Sequence, residues 1–379
     1  MNELKLKDEI KKRLKKHKLF FENHAELGNQ EYETARYIKK CLLSLGYVVE
    51  EINSSTGIIA SLEQNTKNRK CLFFRAEMDA LPVENNIVKH ACGHDSHMAV
   101  MLSLAEEIAG YSNLKIDVVF LFQPAEELCN GAKKLIENEI FNKYNEKNIL
   151  GFHMWADLPY CSCALVKGNM MAGGGQFKIE IEGSAAHGAF PYLGKDSVVI
   201  AAEVIIEIQS IISRQTNPLD SAVITVGTIN GGIADNQIPT KTTITGTIRY
   251  LSEQTKIRII EYIKNICKSK KVKWNVEIEF TFKERVFPIE NDEKLIEIIS
   301  EDVIDVFGKE AVISDYRTMA VDDFSEYMKT IPGIYLLVGC QNKEQYPQHH
   351  PQFYVDAYAM EKAYELVSKL FLKLNEVKK

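Results

Sequence analysis

Nine histidines are spread unevenly through the 379 residues. His90, His94 and His97 crowd into one segment, His-Ala-Cys-Gly-His-Asp-Ser-His. His349 and His350 are adjacent near the end, and His153 follows an apolar run, Ile149–Phe152. Cys92 and His94 stand two apart just before a helical pattern, so both can face one crevice. Thiolate and imidazole are good ligands for zinc and other borderline metals, and carboxylates complete such sets. A lone Cys-x-His is more often a buried cysteine beside a capping histidine. Here Glu126, Glu127 and His153 stand at the ends of further apolar runs, and that favours a metal site. Two neighbouring carboxylates can divide labour, one held by metal and the other free as a general base. Asp79 suits a ligand or a partner that fixes a ligand histidine. By itself it reads equally well as a turn carboxylate before Pro82.

The elements that must position these groups follow from periodicity. Leu6, Ile10, Leu14 and Ala35, Ile38, Leu42, Leu45 recur at helical spacing, and Gly46 is a plausible stop. Cys71–Phe74, Val118–Phe122 and Ile149–Phe152 read as buried strands, with a helix over Asp95–Gly110. Strands alternating with helices predict a parallel sheet packed on both faces. Ionisable residues follow each of three strands, at the edge where open α/β sheets bind ligands.

From about Gly174 the pattern changes. Strand, the helix Ser197–Ile212, strands Ala222–Ile229 and Thr242–Tyr250, the helix Glu253–Cys267 and a strand over Val272–Phe282 give the order β-α-β-β-α-β. That is the split order of a ferredoxin-like domain. The expected fold is thus α/β, a mixed, mainly parallel sheet with helices on both faces, plus an inserted α+β domain. The catalytic domain spans residues 1–173 and 285–379, and the insert 174–284. Gly173-Gly174-Gly175 lacks phosphate-loop spacing and reads as a hinge. In the insert, His187 sits among small residues, and Asn236 and Arg249 could bind a carboxylate. From spacing alone these three are ordinary loop and strand residues. Cys161-Ser162-Cys163 is a weak metal signal and is read as structural, because a redox pair expects Cys-x-x-Cys.

Bulk composition narrows the function classes. Apolar residues make up 45% and charged residues 26%, so the chain is an ordinary globular protein. The net charge of −6 argues against nucleic-acid and membrane-surface partners. The basic start is followed by only Leu19, Phe20 and Phe21, too short for a signal-peptide core. With no long apolar run, a cytoplasmic location is expected. Eight scattered cysteines then read as reduced thiols.

Taken together, the chain resembles the two-metal amidohydrolases that include bacterial aminoacylases, hippurate hydrolase, acetyl-diaminopimelate deacetylase and plant auxin-conjugate hydrolases. These are related to the broader aminoacylase and carboxypeptidase metallopeptidase group. The resemblance runs through His24–Leu27, Arg75–Pro82, His90–His97, Gln123–Glu127, Gly151–His153 and His187–Pro191. It continues through Asn236–Pro239, Gly246–Arg249, Asp322–Phe324 and His349–Phe353. It implies metal ligands at Cys92, His94, Glu127, His153 and His349, with Pro351 and Phe353 favouring His349 over His350. It implies Glu126 as general base and Asp79 as the carboxylate supporting the metals. His187 matches a histidine that in relatives reaches the partner subunit's active site, and Asn236 and Arg249 match positions that bind the substrate's carboxylate. The implied activity is hydrolysis of N-acyl amino acids with two divalent cations, zinc or manganese first and cobalt or nickel as alternatives. A homodimer through the inserted domain is implied as well. A dimetal dipeptidase or carboxypeptidase is the alternative reading, and a non-catalytic metal-binding scaffold the third. Two departures stand out: the stretch between Pro82 and His90 is short, and Glu77 stands where Asp is commoner.

Overall fold

The computed structural model describes residues 3–62, 70–112, 114–144 and 146–376. The first half runs through helices α1 (Glu3–Asn23) and α2 (Tyr32–Ser44), strands β1 (Val48–Glu51), β2 (Ile58–Leu62) and β3 (Lys70–Glu77), helix α3 (His94–Ile108), and strands β4 (Asp117–Gln123) and β5 (Glu146–Trp155). There follow β6 (Gly173–Glu182), α4 (Ser197–Ser210), β7 (Ala222–Gly231), β8 (Lys241–Tyr250), α5 (Glu253–Trp274) and β9 (Glu277–Val286). Helix α6 (Glu293–Phe307), strand β10 (Gly333–Gly339) and helix α7 (Ala357–Glu376) complete the chain. The side chain of Leu6, placed above on a helical stripe, lies outside the described residues.

Two compact units emerge. Unit 1 comprises residues 1–168, 290–316 and 322–379, and unit 2 comprises 169–289 and 317–321. The sequence pattern puts the divisions after residues 173 and 284.

Unit 1 is built on one sheet, ordered β1-β2-β4-β3-β5-β10 and continued by the short strands Cys163–Ala164 and Val312–Ile313. β4, β3, β5 and β10 are mutually parallel, while β1 and β2 add an antiparallel edge. The parallel strands are apolar runs because both faces are covered. Leu72 and Phe74 of β3 join the core under α1, α3 and α7. On the other face Phe73 meets Phe141 edge-on, with ring centroids 4.7 Å apart. Helix α3 is buried along most of its length, its polar first turn from His94 to His97 included. The mixed, mainly parallel sheet is therefore the one the pattern predicts. β5 runs further than expected, through His153 to Trp155, because pairing with β10 continues at Leu337 and Gly339.

Unit 2 is an antiparallel sheet ordered β9-β6-β8-β7. Phe177, Ile179 and Ile181 of β6 pack with Ile244 and Ile248 of β8 against Ile200 and Val204 of α4 and Ile259 and Ile263 of α5. The side chain of Asp196 caps α4, accepting from the N–H groups of Val198 and Val199, and Ser252 caps α5. α5 extends seven residues beyond the expected stop at Cys267, to Trp274. Its buried stripe continues through Cys267 and Lys270, whose amine is paired with Glu203 at 2.9 Å. The strand expected from Val272 accordingly starts at Glu277. Gly173, Gly174 and Gly175 form the start of β6 instead of a hinge. A Cβ on Gly174 would lie 2.6 Å from the Arg249 guanidinium, and one on Gly175 2.5 Å from the carbonyl of Lys283. Close approach explains these glycines. Among the described residues, no helix is long and apolar enough to cross a membrane.

One charged cluster lies inside unit 1. Arg75 of β3 is buried, and its Nη2 donates to Asp322 at 2.8 Å and Asp323 at 3.2 Å. Its Nη1 pairs with Glu77 and its Nε donates to Gln123 at 3.0 Å. Gln123 also donates to Asp323 at 2.6 Å, and the Tyr335 hydroxyl donates to Asp322. The Phe324 N–H also donates to Asp322 at 2.8 Å, and the Ala132 N–H donates to the second oxygen of Asp323 at 3.0 Å. The cluster ties β3, β4 and β10 to the 322–324 loop. Removing the guanidinium would leave buried carboxylates without a counter-charge, which typically costs about 3–5 kcal/mol. Arg75→Met is expected to lose that much in urea unfolding. A loss under about 1 kcal/mol would show that the cluster is neutralised by other means.

Candidate active site

Three parallel strands end at one edge of the unit 1 sheet, where open α/β sheets bind ligands. β3 leads into Met78-Asp79, β4 leads into Pro124-Ala125-Glu126-Glu127, and β5 carries His153 near its end. Helix α3 begins at His94, and Gly93 precedes it with φ of 93°. Glycine takes that conformation without a Cβ penalty. The chain therefore turns sharply between Cys92 and His94, and both side chains reach the same space. His349 arrives from the loop after β10, its N–H donating to the Ala91 carbonyl at 2.8 Å.

The donors of Cys92, His94 and Glu127 all lie within 4.8 Å of one another. His153 Nε2 is 3.6 Å from Cys92 Sγ, and His349 Nε2 is 3.3 Å from Glu127 Oε1. The fold thus brings together all five residues that the resemblance marks as ligands. His350 instead stacks on Tyr346, with ring centroids 4.9 Å apart.

Backbone carbonyls hold two of the rings by their far nitrogens. His94 Nδ1–H donates to the Asp79 carbonyl at 2.8 Å, and His153 Nδ1–H donates to the Met154 carbonyl at 2.8 Å. In a neutral ring the lone pair then lies on Nε2. His94 Nε2 is buried with no hydrogen-bond partner among the described residues. Such an orphaned nitrogen is costly unless something electrophilic meets it. Asp79 accepts the Glu127 N–H at 3.1 Å through Oδ2, and its Oδ1 lies 3.5 Å from His94 Nδ1. It spans two of the cluster residues, as a carboxylate that orients ligands would.

Charge in this pocket is unbalanced toward the negative. Burial, then the charges of Glu127 and Glu126, push the Cys92 thiol well above its ordinary range. Burial opposes charge on His94, yet its hydrogen bond to Asp79 and the charges of Glu77, Asp79 and Glu127 raise it to about 10. The field at this spot favours a positive charge. A divalent cation would meet that demand and use the lone pairs that protons otherwise occupy. The donor set of thiolate, imidazole and carboxylate fits zinc-type metals. Glu126 lies slightly apart, buried within 4.8 Å of Asp322 and Asp323. Burial and the charges of Asp322, Glu127 and Asp323 push its carboxyl well above the usual range. A carboxylate so disposed takes up a proton more readily than an exposed one.

Several residues here had no role in the motif reading. His97 Nδ1–H donates to Glu77 at 2.9 Å, and its Nε2 accepts the Met154 N–H at 2.9 Å. Its ring packs edge-on against His153 at 4.5 Å. With both nitrogens taken, His97 supports the cluster from behind. The sequence reading gives no role to Arg75, Gln123 or Glu31 either. A charged Arg75 and Glu77 alternating inside an apolar strand was the available signal for the first. Nothing in the spacing marked Glu31.

The three insert residues lie in unit 2. Residues Ala186–His187 pair with Gln237–Ile238, and the Gly188 N–H donates to the Asn236 carbonyl at 2.8 Å. His187, at the end of its short strand, and Asn236, in the turn before the other, are thus exposed neighbours. His187 Nδ1 accepts the Ala189 N–H at 3.0 Å, so a neutral ring carries its proton on Nε2. Arg249 sits on the sheet itself, half-buried opposite Gly174 and Val223.

Residues 73–373 match the peptidase family M20/M25/M40. The chain is 32% identical to the N-acetyl-L-cysteine deacetylase of Bacillus subtilis (strain 168), over 94% of this chain and 87% of that one. It is 32% identical to the N-acetyldiaminopimelate deacetylase of the same organism, over 91% and 94%. It is 34% identical to IAA-amino acid hydrolase ILR1-like 2 of Arabidopsis thaliana, over 87% and 77%. Among solved structures, a candidate aminohydrolase from methicillin-resistant Staphylococcus aureus superposes with a TM-score of 0.90 at 28% identity, covering 97% of each chain. The Bacillus subtilis YXEP protein, a dinuclear metal-binding peptidase from the M20 family, shares the fold with a TM-score of 0.84 at 24% identity, covering 98% of this chain and 100% of that one. This chain is a hydrolase acting on amide bonds and belongs to peptidase family M20/M25/M40.

Proposed function

We propose that the chain hydrolyses the amide bond of N-acyl amino acids, using two divalent cations held by Cys92, His94, Glu127, His153 and His349. The observation that carries this reading is the convergence of those five donors beside a buried carboxylate, Glu126, that stands apart from them. The named substrates of the deacetylase and conjugate-hydrolase relatives support the substrate class. Zinc or manganese fits the mixed sulfur, nitrogen and oxygen set, with cobalt or nickel as alternatives. The reducing cytoplasm is the proposed location, since it keeps Cys92 from oxidation.

The cations, when bound, supply a Lewis acid for the acyl carbonyl and lower the pKa of water. Glu126 takes the proton from the attacking water as its oxygen bonds to the acyl carbon. Glu126 then passes that proton to the nitrogen as the carbon–nitrogen bond breaks, releasing carboxylic acid and amino acid. Such a base is worth about 100- to 10,000-fold. Asp79 holds the His94 ring and the Glu127 backbone in place. His187, with its Nε2–H free of the Ala189 contact, donates to the developing oxyanion. Asn236 and Arg249 bind the substrate's carboxylate. The chain works as a homodimer through unit 2, whose exposed Val199, Ile206, Val223 and Ile229 offer apolar surface for a second copy.

Glu126→Gln is expected to reduce hydrolysis of N-acetyl or N-benzoyl amino acids by at least about 100-fold while bound metal, measured on the same sample, is retained. Normal turnover by this variant would end the assignment. Stripping the cations with a chelator should abolish turnover and lower the melting temperature, and adding zinc or manganese back should restore both. A panel of dipeptides beside acyl amino acids separates this reading from a dipeptidase. Mixing His187→Ala with Glu126→Gln subunits should recover part of the activity if His187 serves the partner's site. Absence of recovery would keep His187 within its own subunit.

A further inference from the structure

The strand β4 ends in a loop whose shape is unusual. Ala125, directly before Glu126, has φ of 52°, and Cys129 has φ of 52° as well. Residues with a Cβ avoid that region, and they persist there when their surroundings over-determine them. The loop must do two things within two residues. It must send Glu126 toward Asp322 and Asp323, and Glu127 toward Cys92 and His94.

Three acidic side chains from separate parts of unit 1 hold its backbone. Asp79 accepts the Glu127 N–H at 3.1 Å, and Asp323 accepts the Ala132 N–H at 3.0 Å. The third is Glu31, just before α2. Its Oε1 accepts the Ala125 N–H at 2.9 Å, and its other oxygen accepts the Thr56 hydroxyl. Glu31 is fully buried at 0% exposure. Pro124 has no N–H to offer, so the Ala125 N–H is the first backbone donor of the loop. Gly28 and Gly57 close around the same dipeptide: a Cβ on them would lie 3.2 Å from Ala125 Cα and 3.1 Å from Pro124 Cδ.

We propose that Glu31 is a positioning residue for the hydrolytic reaction, holding Ala125 in its left-handed conformation so that Glu126 meets the attacking water. This rests on the reading of Glu126 as the base. Glu31 acts on the reaction through the Ala125 backbone, whose conformation decides where the next side chain starts. Without Glu31 the Ala125 N–H is buried and unpaired, and the loop gains from relaxing to an ordinary conformation. A shift of about 1 Å in a reacting group can cost about 100-fold. Charge on Glu31 is not required: a glutamine oxygen can accept from Ala125 while its amide faces the Thr56 oxygen.

The test measures kcat, KM, bound cation and melting temperature for the metal-loaded full chain acting on an N-acetyl amino acid. Glu31→Ala is expected to lower kcat about 10- to 100-fold, with KM and cation content close to the parent. Glu31→Gln should stay within about 3-fold of the parent in kcat. Glu31→Asp, one methylene too short to reach the loop, should resemble Glu31→Ala and covers the case in which that variant fails to fold. Parent-like kcat in the Ala or Asp variant would overturn the proposal. So would a glutamine variant as impaired as the alanine one, or losses that merely follow the folded fraction. Glu126→Gln is run alongside. If that variant is active, the reading of the base has failed; if it is dead while Glu31→Ala is not, the positioning role has failed.

Discussion

Glu77, Asp322 and Asp323 share the guanidinium of Arg75 beneath the carboxyl edge of the unit 1 sheet. Buried carboxylates survive folding when a counter-charge and hydrogen bonds replace the water they lose. Arg75 supplies the charge, and Gln123, Tyr335 and two backbone N–H groups supply the remaining donors. The arrangement joins strands far apart in sequence. It also leaves negative charge in excess, because Asp79, Glu126 and Glu127 lie at the same edge. That excess makes the edge receptive to cations.

The cluster residues are aimed mostly by backbone. Carbonyls of Asp79 and Met154 orient the rings of His94 and His153, and His97 in turn anchors the Met154 N–H. Gly93 and Ala125 set the turns from which His94 and Glu126 project. Mutual support of this kind keeps reacting groups in place without rearrangement during catalysis. Conformations that would be disfavoured alone are held by the packing around them.

Unit 2 follows different physics. Its antiparallel sheet buries one face under α4 and α5 and presents alternate polar residues such as Gln176, Lys178 and Glu180 on the other. The helix starts at Ser197 and Glu253, which the sequence predicts, are set by the local caps Asp196 and Ser252. The end of α5 is not set locally. A lysine-rich stretch reads as solvated, and the Lys270–Glu203 pair that keeps it helical joins residues 67 apart.

The order of residues alone determined the layout of strands and helices and the motif set Cys92, His94, Glu126, Glu127 and His153. These are local patterns, set by side-chain period and by a few residue types with metal or acid–base chemistry. Tertiary structure decided what no spacing could express. It gave Asp322 and Asp323 to Arg75. It placed His97 behind His153 and put Glu31 under Ala125. The reason is that a contact between distant residues depends on how whole elements pack, and burial then changes the charge and hydrogen-bonding demands of every group it encloses.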